Sequence, residues 1–278
     1  MKKPLIWFIT GTAQGFGKEL VGAALARGDF VVATSRTPDK VKADFPNAKD
    51  HLACISLDLQ NPAQINDAVQ KAIAKFGRID VLVNNAGYGL LGAIEEVTDE
   101  EIRAIFEVNL FGLLRVTRAI LPHMRKQRSG HIVNISSIVG LMGCPGGGLY
   151  SSTKFAVAGL SESLAVEVAP LGIHVTVVEP GPFRTDFLGA SLIVTDKVIP
   201  DYEKTTLRAY PTENHGKQAG DPSKAIQAII QAVLSENPPL HLVLGTSAYE
   251  RAGQKLDAMR ENFSTWQDVS LSCDFATN

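Results

Sequence analysis

The sequence predicts one α/β domain built on a doubly wound parallel sheet, and two observations support that fold class. Short apolar runs alternate with longer segments of helical periodicity along most of the 278 residues, which is the pattern of repeated strand–helix–strand units. Several of these runs are apolar throughout, as expected for parallel strands that helices cover on both faces. Right-handed crossovers between such strands would generate a single sheet of about seven strands.

The predicted elements alternate from the amino-terminus onward. Strands are predicted at residues 5–10, 30–34, 52–57, 81–83, 130–135, 174–178 and 240–244. Helices are predicted at residues 15–27, 62–76, 99–127, 149–169 and 222–235. Because no repeat or low-complexity tract interrupts this alternation, residues 1–245 are expected to form one domain.

Two regions depart from the alternation. Residues 182–220 are too long for an ordinary connection, so they are either a disordered insertion or a lid over a site. Apolar side chains favour a lid that covers a bulky apolar ligand; they are Phe187, Leu188, Leu192, Ile193, Val194, Tyr202, Leu207 and Tyr210. Residues 246–278 are expected to form a helical extension packed on the same domain, with a helix over 248–263 and an irregular end that carries Trp266, Val269, Leu271 and Phe275.

Composition narrows the class of partner. A formal net charge of -2 gives no electrostatic reason to expect nucleic acid or an anionic membrane as a partner. The three cysteines are odd in number and widely spaced, which argues against a disulfide framework or a cysteine metal site and favours the cytoplasm. The apolar run near the amino-terminus is too short for a signal peptide, and no stretch is long enough to span a bilayer. The six histidines show no metal-ligand spacing, so no metal is expected.

A glycine-rich turn follows the first predicted strand. Gly11, Gly15 and Gly17 are spaced Gly-x3-Gly-x-Gly between that strand and a helix. Glycines let the main chain turn tightly and approach a pyrophosphate, while the helix presents its free N–H groups to the anion. A turn of this kind can also be a plain strand-to-helix connection, so its position in the alternating pattern is what favours dinucleotide binding.

The end of the second predicted strand indicates which dinucleotide would bind. Proteins that bind NAD place an acidic residue here to accept a hydrogen bond from the ribose 2′-hydroxyl, but this strand ends in Ser35 and Arg36. A serine hydroxyl and a guanidinium suit a 2′-phosphate. The pair therefore favours NADP(H), with a surface arginine and NAD(H) as the alternative.

Tyr150 and Lys154 are four residues apart on a predicted helix. Residues at this spacing share one helix face, so the phenol and the ammonium can point into one cleft. A nearby cation lowers the pKa of a tyrosine from its usual value of about 10, which suits proton transfer to or from an alcohol oxygen. The alternative is a solvated pair on a helix surface.

Several motifs then occur in a fixed order. They are the glycine turn, Leu57-Asp58-Leu59, Asn84-Asn85-Ala86-Gly87, Asn109, Ile135-Ser136-Ser137, Tyr150 with Lys154, and Pro180-Gly181. Together they resemble the short-chain dehydrogenase/reductase family over residues 5–244, in the branch of 17β-hydroxysteroid and retinol dehydrogenase-like enzymes. The resemblance implies a Rossmann domain and an oxidoreductase that interconverts a ketone or aldehyde and an alcohol with NADP(H).

The resemblance also implies a catalytic set of Asn109, Ser137, Tyr150 and Lys154. Tyr150 would be the acid/base, and Lys154 would lower its pKa and bind the nicotinamide ribose. Ser137, in preference to Ser136, would hold the substrate oxygen, and Asn109 would hold a water that links Lys154 to solvent. The cofactor-binding set implied by the family is Gly11, Thr12, Gln14, Gly15, Phe16, Gly17, Ser35, Arg36, Asp58, Leu59, Asn85, Ala86, Gly87, Tyr150, Lys154, Pro180, Gly181 and Thr185.

Other functions fit the same motifs less well. A regulator that binds NADP without turnover would have no need of both Tyr150 and Lys154, and an isomerase or dehydratase would show no net redox change. The expected substrate is an apolar, fairly bulky small molecule that carries a carbonyl or alcohol group. Two helices, at 99–127 and 149–169, resemble those that pair subunits in this family, so a homodimer or homotetramer is expected.

Overall fold

The structure is a computed structural model that describes residues 3–275. Its strands are β1 (Ile6–Thr10), β2 (Phe30–Ser35), β3 (Leu52–Ser56), β4 (Val81–Asn84), β5 (Gly89–Leu91), β6 (Gly130–Ile135), β7 (Ile173–Pro180), β8 (Leu192–Val194) and β9 (His241–Leu244). Its α-helices are α1 (Gly15–Ala26), α2 (Pro38–Asp44), α3 (Pro62–Phe76), α4 (Asp99–Phe106), α5 (Leu113–Gln127), α6 (Gly148–Val168), α7 (Tyr210–Asn214), α8 (Pro222–Val233), α9 (Thr246–Thr265) and α10 (Gln267–Leu271).

Seven strands form one parallel sheet in the order β3-β2-β1-β4-β6-β7-β9. The chain first builds outward from β1 to β3 and then returns to β4 on the other side of β1. Connections on the two sides therefore diverge above the carboxyl ends of β1 and β4, and this divergence leaves a crevice. The seven-stranded doubly wound sheet confirms the predicted fold class.

The core lies on both faces of the sheet, because its central strands are apolar throughout. All five residues of β1 are buried. Trp7 and Ile9 pack on one face against Leu20 and Ile226 from α1 and α8. Phe8 packs on the opposite face, in a cluster that also contains buried residues of α3 and α5. Packing of the helices on both faces therefore fixes the positions of the strand ends, and with them the loops that follow the strands.

The helix predicted over residues 99–127 is interrupted. A π-helical turn, Glu107–Gly112, separates α4 from α5. Such a turn inserts an extra residue into the helical ladder and is frequent at functional sites. Here it carries Asn109, which is 1% exposed, so the interruption turns a candidate catalytic side chain towards the interior.

The region predicted as a lid contains regular structure. Its strand β8 pairs in parallel with β5, and it also contains the short helix α7. These two small elements did not appear in the sequence prediction, because a three-residue strand and a five-residue helix carry too little periodicity to be recognised. The pairing excludes the alternative of a disordered insertion, while the opening and closing of this segment stays a prediction.

The carboxy-terminal extension packs on the domain only at its start. Ala248 and Ala252 of α9 are buried, where they join a cluster with Ile138 and Val139. Residues 256–275 are all exposed. The prediction that the whole extension packs on the same domain is therefore wrong for its distal part, which continues past the edge of the body; residues 276–278 lie outside the described residues. Among residues 3–275, the helices are all too short or too polar to cross a bilayer.

Candidate active site

A cavity of about 840 Å³ lies at the carboxyl ends of the central strands. Its walls come from the glycine turn after β1, the end of β2 and the loops after β4, β6 and β7, with the lid as its outer wall. Most of the predicted site residues line it: Gly11, Gln14, Gly15, Phe16, Ser35, Arg36, Asp58, Leu59, Asn85, Ala86, Gly87, Ser137, Tyr150, Lys154, Pro180, Gly181 and Thr185. We call this cavity the crevice.

The conformation of the glycine turn is fixed by close contacts on the side away from the crevice. Gly11 has a φ of +70°, and a Cβ there would lie 2.7 Å from the Cα of Ala86. A Cβ at Gly17 would collide with the main-chain oxygen of Gly11, while the Thr12 hydroxyl donates to the main-chain oxygen of Thr34 at 3.1 Å. Thr12 and Gly17 were predicted to bind cofactor, but they lie behind the wall of the crevice and shape the turn.

The amino-terminus of α1 opens towards the crevice. In the described chain, Gln14 at the N-cap makes no capping hydrogen bond and the first turn holds no acidic residue. The first N–H groups of the helix therefore face outward without a side-chain acceptor. Together with the close approach that Gly11 permits, this arrangement fits the pyrophosphate of a dinucleotide.

Asn85 fixes the loop after β4 to the glycine turn. Its Nδ2 donates to the main-chain oxygens of Thr10 and Gly11, both at 2.9 Å. The Thr10 hydroxyl in turn accepts from the main-chain N–H groups of Asn85 at 3.0 Å and Ala86 at 3.1 Å. Two loops from neighbouring strands thereby become one rigid wall.

The end of β2 carries two exposed cations. Arg36 lines the crevice as predicted, and Lys40 from α2 lines it as well. The Ser35 hydroxyl accepts from the main-chain N–H of Thr37 at 2.9 Å, which holds the turn between them. Sequence reasoning missed Lys40; its position four residues after Arg36, in the first turn of a helix that starts at Pro38, was the available signal.

Tyr150, Ser137 and Lys154 meet on the wall nearest β6. Lys154 Nζ lies 5.7 Å from the centre of the Tyr150 ring and donates to the main-chain oxygen of Ile135 at 2.8 Å. The side chain of Lys154 is buried, and this burial lowers its pKa to about 8. Burial is also the main influence on Tyr150 and raises its pKa above the ordinary value, against the opposing effect of the Ser137 hydroxyl.

That result corrects the expectation that Lys154 lowers the pKa of Tyr150. Desolvation of the phenol by burial outweighs the opposing effect of the Ser137 hydroxyl. The phenol of Tyr150 is therefore in its protonated form at neutral pH, which is the form that donates a proton.

The two serines after β6 have different tasks. Ser136 Oγ is buried and donates to the main-chain oxygen of Lys154 at 3.0 Å. Both serines line the crevice, but the Ser137 hydroxyl has only long contacts with the main chain, 3.4 Å to the oxygen of Pro180 and 3.3 Å from the N–H of Val139, and it lies beside the phenol of Tyr150. Ser137 is therefore the serine that is available to a ligand, and Ser136 anchors α6.

Asn109 braces the crevice from inside. Its Oδ1 accepts from the main-chain N–H of Tyr88 at 3.0 Å, and its Nδ2 donates to the main-chain oxygen of Tyr88 at 2.8 Å and to Thr153 Oγ1 at 3.2 Å. It does not line the crevice. The π-helical turn thus ties the loop after β4 to α6, and the predicted water between Asn109 and Lys154 stays a prediction.

The lid supplies an apolar wall opposite Tyr150. The rings of Phe187 and Tyr150 lie 5.7 Å apart, and Leu188, Ile193 and Tyr210 also line the crevice. The other predicted lid residues face elsewhere; for example, the hydroxyl of Tyr202 donates to Glu95 at 2.9 Å. Half of the predicted apolar set therefore forms the wall, which still suits an apolar ligand.

A buried carboxylate anchors the lid. Glu96 is 1% exposed and accepts from the main-chain N–H groups of Ile199 at 2.8 Å and Ala93 at 2.7 Å. Arg208 pairs with it at 3.3 Å. These hydrogen bonds, first those from the two N–H groups, hold the pKa of Glu96 below its ordinary value. Sequence reasoning missed this anchor, because its partners are about a hundred residues away in the chain.

The lid also contacts the glycine turn. Gln14 Nε2 donates to the hydroxyl of Ser191 at 2.8 Å, immediately before β8. The segment from Asp186 to Ser191 is thus held at Ser191, by this bond and by the main-chain N–H of Gly89, which donates to the Ser191 oxygen at 2.8 Å. The segment from Thr195 to Arg208 is held by the Glu96 anchor. Residues 3–275 contain no cluster of His, Cys, Asp and Glu that could hold a metal ion.

The sequence itself matches a known family. The profile of the family described as short chain dehydrogenase matches residues 6–192. The chain belongs to the short-chain dehydrogenase family. Oxidoreductase BOA17 from Botryotinia fuckeliana (strain B05.10) is 38% identical over 272 residues, which are 96% of this chain and 98% of that protein. Retinol dehydrogenase 8 from Homo sapiens is 34% identical over 250 residues, which are 85% of this chain and 80% of that protein.

Solved structures of this oxidoreductase family have the same fold. The crystal structure of a short-chain dehydrogenase from Streptomyces avermitilis superposes with a TM-score of 0.92 at 40% identity, over 99% of this chain and 100% of that one. The structure of ElxO with NADP bound has a TM-score of 0.75 at 28% identity, over 89% of this chain and 100% of that one. The family and the fold predicted from the ordered motifs are confirmed.

Proposed function

We propose that this short-chain dehydrogenase is an NADP(H)-dependent oxidoreductase that interconverts a ketone or aldehyde and an alcohol, with Tyr150 as the acid/base. The observation that carries the proposal is the meeting of Tyr150, Ser137 and Lys154 on one wall of a crevice that also contains the glycine turn. The relative ElxO, whose structure contains NADP, supports a dinucleotide in this position.

The residues present fit such a cofactor. The free N–H groups of α1 and the close approach at Gly11 suit the pyrophosphate, and Pro180, Gly181 and Thr185 suit the nicotinamide end, as the family pattern implies. When bound, the nicotinamide supplies or accepts the hydride. The remaining chemistry belongs to the side chains of this protein.

In the reducing direction, side chains on the crevice wall bind and protonate the carbonyl oxygen. Ser137 donates a hydrogen bond to that oxygen and so stabilises the charge that develops on it. Tyr150, protonated at neutral pH, gives its proton to the alkoxide. Lys154, held by Ile135 and close to the phenol, stabilises the tyrosinate that results. Oxidation of an alcohol uses the same groups in reverse.

The choice of NADP(H) depends on Arg36 and Lys40. Two exposed cations at the end of β2 match the charge of a 2′-phosphate, and we expect them to favour NADP(H) over NAD(H). Phe187, Leu188, Ile193 and Tyr210 favour an apolar substrate. The three free cysteines fit a reducing compartment, so we propose a cytoplasmic enzyme, assembled as a homodimer or homotetramer.

A direct assay tests the proposal. NADPH oxidation is followed with a panel of apolar ketones and aldehydes, for the wild type and for Tyr150→Phe. We expect turnover with at least one compound, a loss on the order of 10²–10⁴ in kcat for the variant, and unchanged NADPH binding by fluorescence titration. NADPH binding without turnover of any compound would instead support the regulator, and near-normal turnover by Tyr150→Phe would exclude the tyrosine mechanism.

A further inference from the structure

The face of α9 that packs on the body continues past the body's edge. Ala248 and Ala252 are buried against the domain. Leu256, Met259 and Phe263 follow on the same face at intervals of four, three and four residues, which is the spacing of a coiled-coil seam. We call residues 253–275 the arm.

Large apolar side chains cover the arm, and all but Met259 are more than half exposed. In the described chain, the exposed fractions of the arm and of the adjoining Tyr249 are Tyr249 75%, Leu256 64%, Met259 38%, Phe263 63%, Trp266 58%, Val269 56%, Leu271 64% and Phe275 100%. The four aromatic side chains in this set alone expose roughly 600 Å². The aliphatic ones bring the total towards the roughly 800 Å² that each partner buries in a stable protein complex.

The helix of the arm also needs contacts with another chain to be stable. Isolated helices of this length are marginal in water, and Gly253, just where the arm leaves the body, costs a helix about 1 kcal/mol relative to alanine. The distal half of α9 has no packed face within residues 3–275. Cover from another chain would supply the missing stabilisation.

Charge argues against a membrane as this cover. Between residues 246 and 275 there are three basic and five acidic residues, Arg251, Lys255, Arg260, Glu250, Asp257, Glu261, Asp268 and Asp274. Helices that lie on membrane surfaces are typically rich in lysine and arginine, and this one carries net negative charge. An apolar seam flanked by both signs of charge is instead typical of helices that pair with each other.

We propose that the arm pairs with the same arm of a second copy of this chain, in antiparallel orientation. A parallel pair would place Lys255 beside the partner's Arg260, and like charges there oppose pairing. In the antiparallel pair, Leu256 lies opposite the partner's Met259. The two-fold axis then lies near residues 257–258, and Phe263 reaches the point where the partner's α9 leaves its body.

Molar mass by light scattering tests the proposal on the full chain. Phe263→Glu places a charge in the seam, and Gln254→Glu introduces the same charge nine residues away, on the opposite face of the helix. We expect Phe263→Glu to halve the mass of the wild-type assembly at about ten micromolar, while Gln254→Glu leaves it unchanged. Cooperative thermal unfolding of both variants shows that the domain is folded.

Disulfide trapping tests the orientation. In a Cys273→Ser background, Leu256→Cys and Met259→Cys are made separately. The antiparallel pair should form disulfide-linked dimers only when the two variants are mixed, whereas a parallel pair would link each variant to itself.

Three results would overturn the proposal. They are a monomeric wild type, an unchanged mass for Phe263→Glu, and self-linking of the separate cysteine variants. Flotation of the wild type with phosphatidylcholine and phosphatidylglycerol vesicles, abolished by Phe263→Glu, would assign the arm to a membrane instead. None of these measurements depends on the proposed catalytic activity.

Discussion

Lys40 and Lys154 line the same crevice beside strands β2 and β6, which β1 and β4 separate, and the protein places the two ammonium groups in opposite environments. Lys40 is exposed beside Arg36. Lys154 is 5% exposed, and burial lowers its pKa to about 8. Exposed cations attract an anion over a distance but are screened by salt, whereas a buried one acts on its immediate neighbours with little screening. One end of the crevice is therefore built to select a ligand by charge, and the other to perform chemistry out of water.

The largest expected effect would test the buried end. Ser137→Ala removes the hydroxyl that is free to bind the substrate oxygen, and loss of one such donor typically lowers kcat by roughly 10²–10³. Ser136→Ala is the matched control, because its hydroxyl donates to the main-chain oxygen of Lys154. We expect Ser136→Ala to lower stability by about 1 kcal/mol with a smaller loss of kcat. Equal kinetic losses would mean that the two serines act as one structural unit.

The second prediction uses the titration of Lys154. Its pKa in the folded chain, about 8, is below the ordinary 10.5. Between these values the unfolded chain binds more protons, so this group makes the protein more stable as the pH rises from about 8 towards 10.5. The rise is at most about 3 kcal/mol. Below pH 8 the full cost of burying the charge is present.

Lys154→Met removes that titration and preserves the volume of the side chain. The free energy of unfolding, measured by urea denaturation, should therefore favour the variant more at pH 7 than at pH 9.5. Loss of the hydrogen bond to Ile135 shifts both values equally, and Tyr150 is present in both proteins. A difference that stays constant between these two pH values would show that Lys154 is not buried as a charge at neutral pH.

The third prediction tests the exposed end. Arg36→Ala should weaken NADPH binding about ten- to a hundredfold, because a charge-assisted hydrogen bond to the 2′-phosphate is lost. Lys40→Ala should weaken it less, since an ammonium makes a single-point contact. NADH binding should change little in either variant. Adding salt, on the order of 0.5 M, should reduce the preference for NADPH, because exposed charges are screened. If the two substitutions weakened NADPH and NADH binding equally, neither cation would bind the phosphate.

Features that depend on neighbours in the sequence were predictable. The glycine turn can be recognised because Gly11, Gly15 and Gly17 lie within one loop, and Tyr150 with Lys154 because a helix fixes their relation. The central strands are apolar on both faces, so their existence and type followed from composition alone. These features determine the fold and the position of the crevice.

Features that depend on distant pairings were not predictable. Glu96 anchors the lid only through Ile199 and Arg208, and the residues next to Glu96 in the sequence do not indicate that these two partners lie beside it. The raised pKa of Tyr150 results from how deeply the phenol is buried, which spacing cannot reveal. The amphipathic pattern of residues 99–127 continues through the π-helical turn at Asn109, so the sequence indicated one long helix there.

The smallest expected effect concerns the lid, which is attached to the domain at one place by partly buried hydrogen bonds and at another by a buried carboxylate. The segment from Asp186 to Ser191 is held at its end by two hydrogen bonds, from Gln14 to the Ser191 hydroxyl at 2.8 Å and from the Gly89 N–H to the Ser191 main-chain oxygen at 2.8 Å. The Ile199 N–H is held by the buried Glu96. We expect the first segment to open while the second stays in place, because local opening follows the number and burial of the bonds that must break.

Hydrogen exchange of the cofactor-free protein measures this difference directly. Amides between residues 186 and 191 should exchange faster than that of Ile199, and Ser191→Ala should speed them about three- to tenfold, since one hydrogen bond contributes roughly 0.5–1.5 kcal/mol. Ile199 should be unaffected by that change. Glu96→Gln is the reciprocal variant: it should speed exchange at Ile199 by removing the negative charge that its N–H and Arg208 both contact. If Ser191→Ala instead accelerated exchange equally on both sides of β8, the lid would move as one body, and the division between a mobile tip and a fixed anchor would be wrong.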